Sequence, residues 1–192
     1  MALCIRGLGV TQTRAKKLLA KNMMIYIHEI NHNTQHRGKV CDHEGANRLE
    51  ELVESLCSAK GISVVAEEFS EEACQFNKVE ASVCHHVVNR LGSPLLHIYC
   101  DPNSSERECL GIPSQAEIDE RVKEKLGVKY IRKEDIDCCN RLAAKYHPIR
   151  EEFWLTKLKP HKGTNVAFIC GSDHIDSFAA MLTKNDWEVE TF

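Results

Sequence analysis

The chain has 192 residues, with 25 Lys and Arg against 28 Asp and Glu, 28% charged and 43% hydrophobic residues. That length supports one domain with a full core, and the composition is that of an ordinary folded chain. A net charge of −3 gives no electrostatic reason to expect nucleic acid or an anionic membrane as partner, and no apolar run approaches the roughly 20 residues needed to span a bilayer.

Residues 1–22 carry Arg6, Arg14, Lys16, Lys17 and Lys21 but no apolar region followed by a small-residue cleavage site, so they do not read as a signal peptide. Two readings stand: a short amphipathic helix over 13–21, or an extension ahead of a single α/β domain covering 23–192. The first apolar run, Met23-Met24-Ile25-Tyr26-Ile27, ends in His28-Glu29. A polar loop over 31–40 follows. Asp42 or His43 then opens a helix whose apolar face is Leu49, Leu52, Val53, Leu56 and Cys57, with Gly61 as its stop.

A second strand over 62–69 contains Glu67 and Glu68, completing a βαβ pattern. A helical region over 71–91 is broken near Asn77 and ended by Gly92. The third strand, Leu95-Leu96-His97-Ile98-Tyr99-Cys100, ends in Asp101. The stretch 101–113 reads as a polar loop carrying Arg107. Ser114 and Glu117 form a capping box for a helix ending near Gly127, and 128–131 reads as a short strand. The helical pattern over 134–158 contains Pro148, which predicts two helices with Pro148 in the first turn of the second. The fourth strand, Val166-Ala167-Phe168-Ile169-Cys170-Gly171, runs into Ser172-Asp173-His174 and a helix with Ile175, Phe178, Ala179 and Leu182 on one face. A final strand covers 187–190. Short apolar runs alternating with helices predict a three-layer α/β fold: a mostly parallel open sheet of about five strands with helices on both faces.

Four strands stop at acids or histidines, and open α/β sheets bind ligands beyond the carboxyl ends of their strands. The expected site therefore joins His28, Glu67 and His174 as ligands of a divalent metal. Glu67, Arg150 and Glu151 are the catalytic candidates. Arg107, Gly171, Ser172 and Asp173 are the substrate-binding candidates. Mixed imidazole and carboxylate donors suit zinc, manganese or iron better than calcium. Asp173 or Ser172 is a fitting N-cap for the helix after Gly171, whose N-terminus could instead hold an anion. Arg150 and Trp154, four apart on a helix, are neighbours.

These residues resemble a pattern of the TraB/PrgY/TIKI group and its erythromycin-esterase-like and ChaN-like relatives. The motifs concerned are Tyr26-Ile27-His28-Glu29, Ala66-Glu67-Glu68, Arg150-Glu151 and Gly171-Ser172-Asp173-His174, spread over about 23–192. The resemblance implies a metal-dependent protease or hydrolase, or a small-molecule-binding protein. Two other readings remain open. One is a non-catalytic protein that binds a nucleotide or phosphorylated metabolite on the helix after Gly171. The other is a zinc peptidase, because His28-Glu29-Ile30-Asn31-His32 matches H-E-x-x-H, which binds zinc when it lies on a helix. None of the ten cysteines has C-x-x-C spacing, which predicts reduced thiols and a cytoplasmic setting.

Overall fold

The computed structural model describes residues 23–192; the helix read over 13–21 lies outside them. In chain order the strand β1 (Met24–Ile30) leads through a 3-10 turn at His32–Thr34 to helix α1 (His43–Lys60), then β2 (Val64–Glu67), α2 (Glu71–Phe76), α3 (Val83–Leu91) and β3 (Leu96–Tyr99). The helices α4 (Ser104–Leu110), α5 (Gln115–Leu126), α6 (Ile136–Ala143) and α7 (His147–Leu158) follow. The chain closes with β4 (Val166–Gly171), α8 (Ile175–Lys184) and β5 (Glu188–Thr191).

All five strands are parallel, in the order β3-β2-β4-β1-β5. This is the three-layer α/β architecture that the alternating pattern predicts. The order adds something the pattern does not contain. β1 and β2, consecutive in sequence, do not pair; β4 lies between them, with Ile25 and Val64 both opposite Val166. β4 is consequently buried on both faces, and every residue from Val166 to Gly171 is withdrawn from solvent.

Side-chain alternation sorts the core into two layers. Ile25, Ile27, Val64, Ala66, Val166, Phe168 and Cys170 face α7 and α8, against Trp154, Leu155, Leu158, Phe178 and Leu182. Tyr26, Val65, Ala167 and Ile169 face α1 and α3, against Leu49, Val53, Leu56, Val87 and Val88. A small third cluster of Ile118, Val122 and Cys139 joins α5 to α6.

Local signals explain most boundaries. Asp42 caps α1 through the Gly45 amide, and Gly61 ends it in the left-handed conformation at φ 59°. Ser114 and Glu117 make the capping box of α5, and Pro148 stands in the first turn of α7. Three expectations are corrected. The stretch 101–113 is not all loop but holds α4, whose capping box is Asn103 with Glu106. Residues 128–131 form no strand. The turn after β4 is a 3-10 turn, Ser172–His174, and neither Ser172 nor Asp173 makes a side-chain cap.

Among the described residues no helix is long and apolar enough to cross a membrane. No disulfide joins the described cysteines, of which Cys74, Cys84, Cys100, Cys139 and Cys170 are buried.

Burial holds the imidazoles of His28, His36, His85 and His147 below the ordinary histidine value; for His147 the neighbouring His174 and Arg150 add to it. Below an unfolded-state value of about 6.5 the unfolded chain then binds more protons than the folded one. This part of the stability is present above about pH 6.5 and is lost as pH falls through the lower folded values. The urea midpoint is expected to be lower at pH 5.5 than at pH 7.5. An equal or higher midpoint at pH 5.5 would contradict this burial effect.

Candidate functional site

After β1 the chain turns to α1 on one face, whereas after β4 it turns to α8 on the other. β1 and β4 are neighbours, so this is a topological switch point, where a crevice opens beyond the strand ends. A cavity of about 400 Å³ lies there. Its walls include Glu29 near the end of β1 and His32 after it, Glu68 after β2, Gly171 at the end of β4 with Ser172–His174 after it, and His147 and Arg150 from α7.

Arg150 organises the floor. One terminal nitrogen, Nη2, donates to Glu68 Oε1 and to Asp101 Oδ1, both at 2.6 Å, and Nε donates to Asp101 Oδ1 at 3.0 Å. Asp101 Oδ2 accepts from Arg107 at 2.5 Å. Burial works against an ionised Asp101, but the guanidiniums of Arg150 and Arg107 outweigh it and hold its carboxyl below the usual range. Burial likewise opposes charge on Arg150, and Asp101 with Glu68 overcomes it. Arg150 also stands 5.4 Å from the Trp154 ring, so its aromatic stacking and its reach to the strand ends occur together.

His174 is buried beside this floor. Its Nδ1 is 2.8 Å from Glu151 Oε1, the oxygen that also accepts from the Ser177 hydroxyl at 2.6 Å. A carboxylate in that position accepts a hydrogen bond from Nδ1–H, and in the neutral ring this tautomer leaves the lone pair on Nε2. Nε2 lies 3.4 Å from Glu68 Oε1 and 3.5 Å from Arg150 Nη1. The His147 ring centroid is 4.0 Å from that of His174. His147, Glu151 and His174 bring one donor atom each to within 4.8 Å of one another. His147 and Glu151 are four apart on α7 and so share a face, as helical ligand pairs do.

The predicted trio does not converge. Glu67 and Glu68 alternate across the sheet, and the cavity receives Glu68, not Glu67. Glu67 is fully buried on the α1 and α3 side, where it meets the Ser82 hydroxyl, His97 Nε2 at 2.7 Å and the Gln35 amide. His28 shares the β1 parity of Tyr26 and also faces away. It lines a separate cavity with Asp42, Arg48 and Leu49, and its Nδ1 has no hydrogen-bond partner among the described residues. Of the three, His174 alone reaches the cavity.

The other candidates divide. Arg150 and Glu151 belong to the site, and Gly171, Ser172 and Asp173 form its wall. Arg107 does not face the histidines; it is committed to Asp101 and the Pro102 carbonyl and lines an adjoining cavity of about 560 Å³ that shares only Arg150 and Asp101 with this network. The H-E-x-x-H pair is not helical, since His28 is on β1 and His32 in the following turn. The Gly171 amide donates to Glu68 Oε2 at 2.9 Å, so a protein carboxylate stands where a bound anion would sit.

Sequence reasoning missed His147, Glu68 and Asp101 as members. For His147 the signal was present: His147-x-x-x-Glu151 on a helix places two ligand types on one face. Comparison with protein-family models, curated proteins and solved structures gave no match.

Proposed function

We propose that the crevice beyond β1, β2 and β4 is the active site of a metal-dependent hydrolase acting on a small molecule. The observation that carries this reading is the approach of His147, Glu151 and His174 to within 4.8 Å beside a polar cavity. Two imidazoles and a carboxylate are a frequent catalytic zinc set, and manganese or iron would also accept them. The ion, when bound there, would supply a more acidic water and a Lewis acid.

The rest of the site supports a cation. Glu68 and Asp101 balance the guanidiniums of Arg150 and Arg107, which leaves the charge of the ligand carboxylate Glu151 for a cation. Ser177 fixes Glu151, as outer hydrogen bonds fix metal ligands. The Arg150 guanidinium at the cavity wall can meet negative charge that develops on a reacting group. The resemblance of Gly171-Ser172-Asp173-His174 to a motif of the TraB/PrgY/TIKI group is compatible with this reading. With the pair His28 and His32 off a helix and the Gly171 amide taken by Glu68, neither the peptidase nor the phosphate-binding reading gains support.

Zinc titration of the tag-free protein by calorimetry tests the assignment. Stoichiometric binding is expected. His147→Ala and His174→Ala are expected to weaken it by more than about 100-fold, whereas His28→Ala leaves it unchanged. Wild-type affinity in a folded His147→Ala, His174→Ala double variant would overturn the assignment.

A further inference from the structure

The second histidine of the H-E-x-x-H motif and the buried Glu67 have no part in the proposed metal set, yet the structure connects them. His32 stands in the cavity wall, and its Nδ1 is 2.9 Å from Gln35 Oε1. Gln35 is fully buried, and its amide nitrogen donates to Glu67 Oε2 at 3.1 Å and to the Glu68 main-chain oxygen at 3.3 Å. A carbonyl oxygen can only accept. Turning the Gln35 amide over would set its oxygen against that carbonyl and a carboxylate oxygen, so the orientation is fixed. Gln35 Oε1 therefore faces His32 as an acceptor, and His32 Nδ1 must carry the proton. In the neutral ring the lone pair is then on Nε2.

That nitrogen looks into the cavity. It is 3.7 Å from Glu68 Oε2, and it packs so closely on Gly171 that a β-carbon there would come within 2.8 Å of it. Glu67 is in turn held by the Ser82 hydroxyl and by His97 Nε2. A continuous hydrogen-bonded chain thus runs from the α3 side of the sheet, through Glu67 and Gln35, to the cavity on the other side.

We infer that His32 is held as the Nδ1–H tautomer, presenting a proton-accepting Nε2 to the cavity, and that Glu67 is its positioning residue, acting through Gln35. In the hydrolysis proposed above, on which the catalytic part of this inference rests, Nε2 takes a proton from water. An O–H bond breaks and an N–H bond forms, while the water oxygen bonds to the electrophilic carbonyl or phosphoryl centre. The bond to the leaving group breaks, and the leaving oxygen or nitrogen takes the proton back from the imidazolium. Glu68 Oε2 stabilises that imidazolium. The two adjacent acids serve one site from opposite faces: Glu68 beside the ring, Glu67 behind it.

Long-range proton–nitrogen NMR of the histidine-labelled full chain near pH 7.5 reads the tautomer directly, with the His32 signals assigned by His32→Ala. The expected result is a protonated Nδ1 and an unprotonated Nε2. Gln35→Met and Glu67→Met are expected to shift Nε2 toward the protonated position. Glu67→Gln, whose oxygen can still accept from Gln35, is expected to restore the wild-type pattern. An Nε2–H tautomer in the wild type, or an unchanged His32 ring in Gln35→Met, would overturn the inference. If Glu67→Met fails to fold, those two spectra still decide it. His32→Ala is expected to bind zinc as the wild type does. Failure of the wild type to bind zinc, with its His32 tautomer as expected, would sink the metal set and not the relay.

Discussion

Replacing Arg150 with methionine is expected to lower stability at neutral pH by about 3–5 kcal/mol, the usual consequence of removing one partner from a buried ion pair. Among the described residues the guanidinium is the sole cation within 3 Å of Glu68 and one of two touching Asp101, and both carboxylates are at most 12% exposed at the side chain. Methionine fills much of the space but leaves the acids buried without it. For a domain of this size the loss corresponds to roughly 6–20 °C in Tm. Against the opposing effect of burial, Arg150 is the larger of the two charges that hold the Asp101 carboxyl below its usual range, and the stability this gives is lost as pH falls, so the deficit relative to wild type should narrow at low pH. Urea titrations of both proteins at pH 7.5 and pH 5 measure this. An unchanged midpoint at pH 7.5 would show that the carboxylates reach water without Arg150. The same variant tests how the site is built, because Arg150 also sets the distance between the Glu68 and Asp101 strand ends.

Trp154→Ala is expected to cost a further class of energy, about 3–5 kcal/mol from lost burial and the void left behind. Trp154 is fully buried on α7, with ring centroids 5.4 Å from Phe168 and 5.3 Å from Phe178. It also stands edge-on to His174 at 4.7 Å and donates its indole N–H to Asp101 Oδ1 at 3.4 Å. One side chain therefore fills the core and forms the wall that fixes the His174 ring. Truncation should weaken zinc binding as well as lower the urea midpoint. Trp154→Phe keeps most of the contact and gives up the hydrogen bond, worth about 1 kcal/mol, so it should retain zinc affinity. Equal zinc affinity in Trp154→Ala and wild type would mean that His174 is positioned by Glu151 alone.

Much of the layering is legible in the residues themselves. The apolar runs, the caps at Asp42 and Ser114, the stop at Gly61 and the break at Pro148 all mark elements that exist. Helix α4 escaped because it has no buried residue and hence no apolar stripe to read; its capping box, Asn103 with Glu106, was the available sign. The site was legible as a location, the carboxyl ends of the strands, and through Arg150, Glu151 and His174. It was not legible as a ligand set. Alternation says that Glu67 and Glu68 point to opposite faces, but β2 is apolar on both, and nothing local tells which face carries the crevice. That is decided by which helices cover each face, and so by strand order. The same parity took His28 to the α1 side.

The insertion of β4 between β1 and β2 has a consequence for how the chain reaches its native form. Ile25 meets its β4 neighbour Val166 across about 140 residues, and β1 has no strand partner until β4 and β5 exist. Until then β1 stays unpaired and β2 is joined to β3 alone. Non-local closure of this kind favours slow folding and early dependence on chaperones. β4, which joins β1 to the β2–β3 pair, also leads directly into His174, so joining the two parts of the sheet and bringing His174 to the crevice are one event.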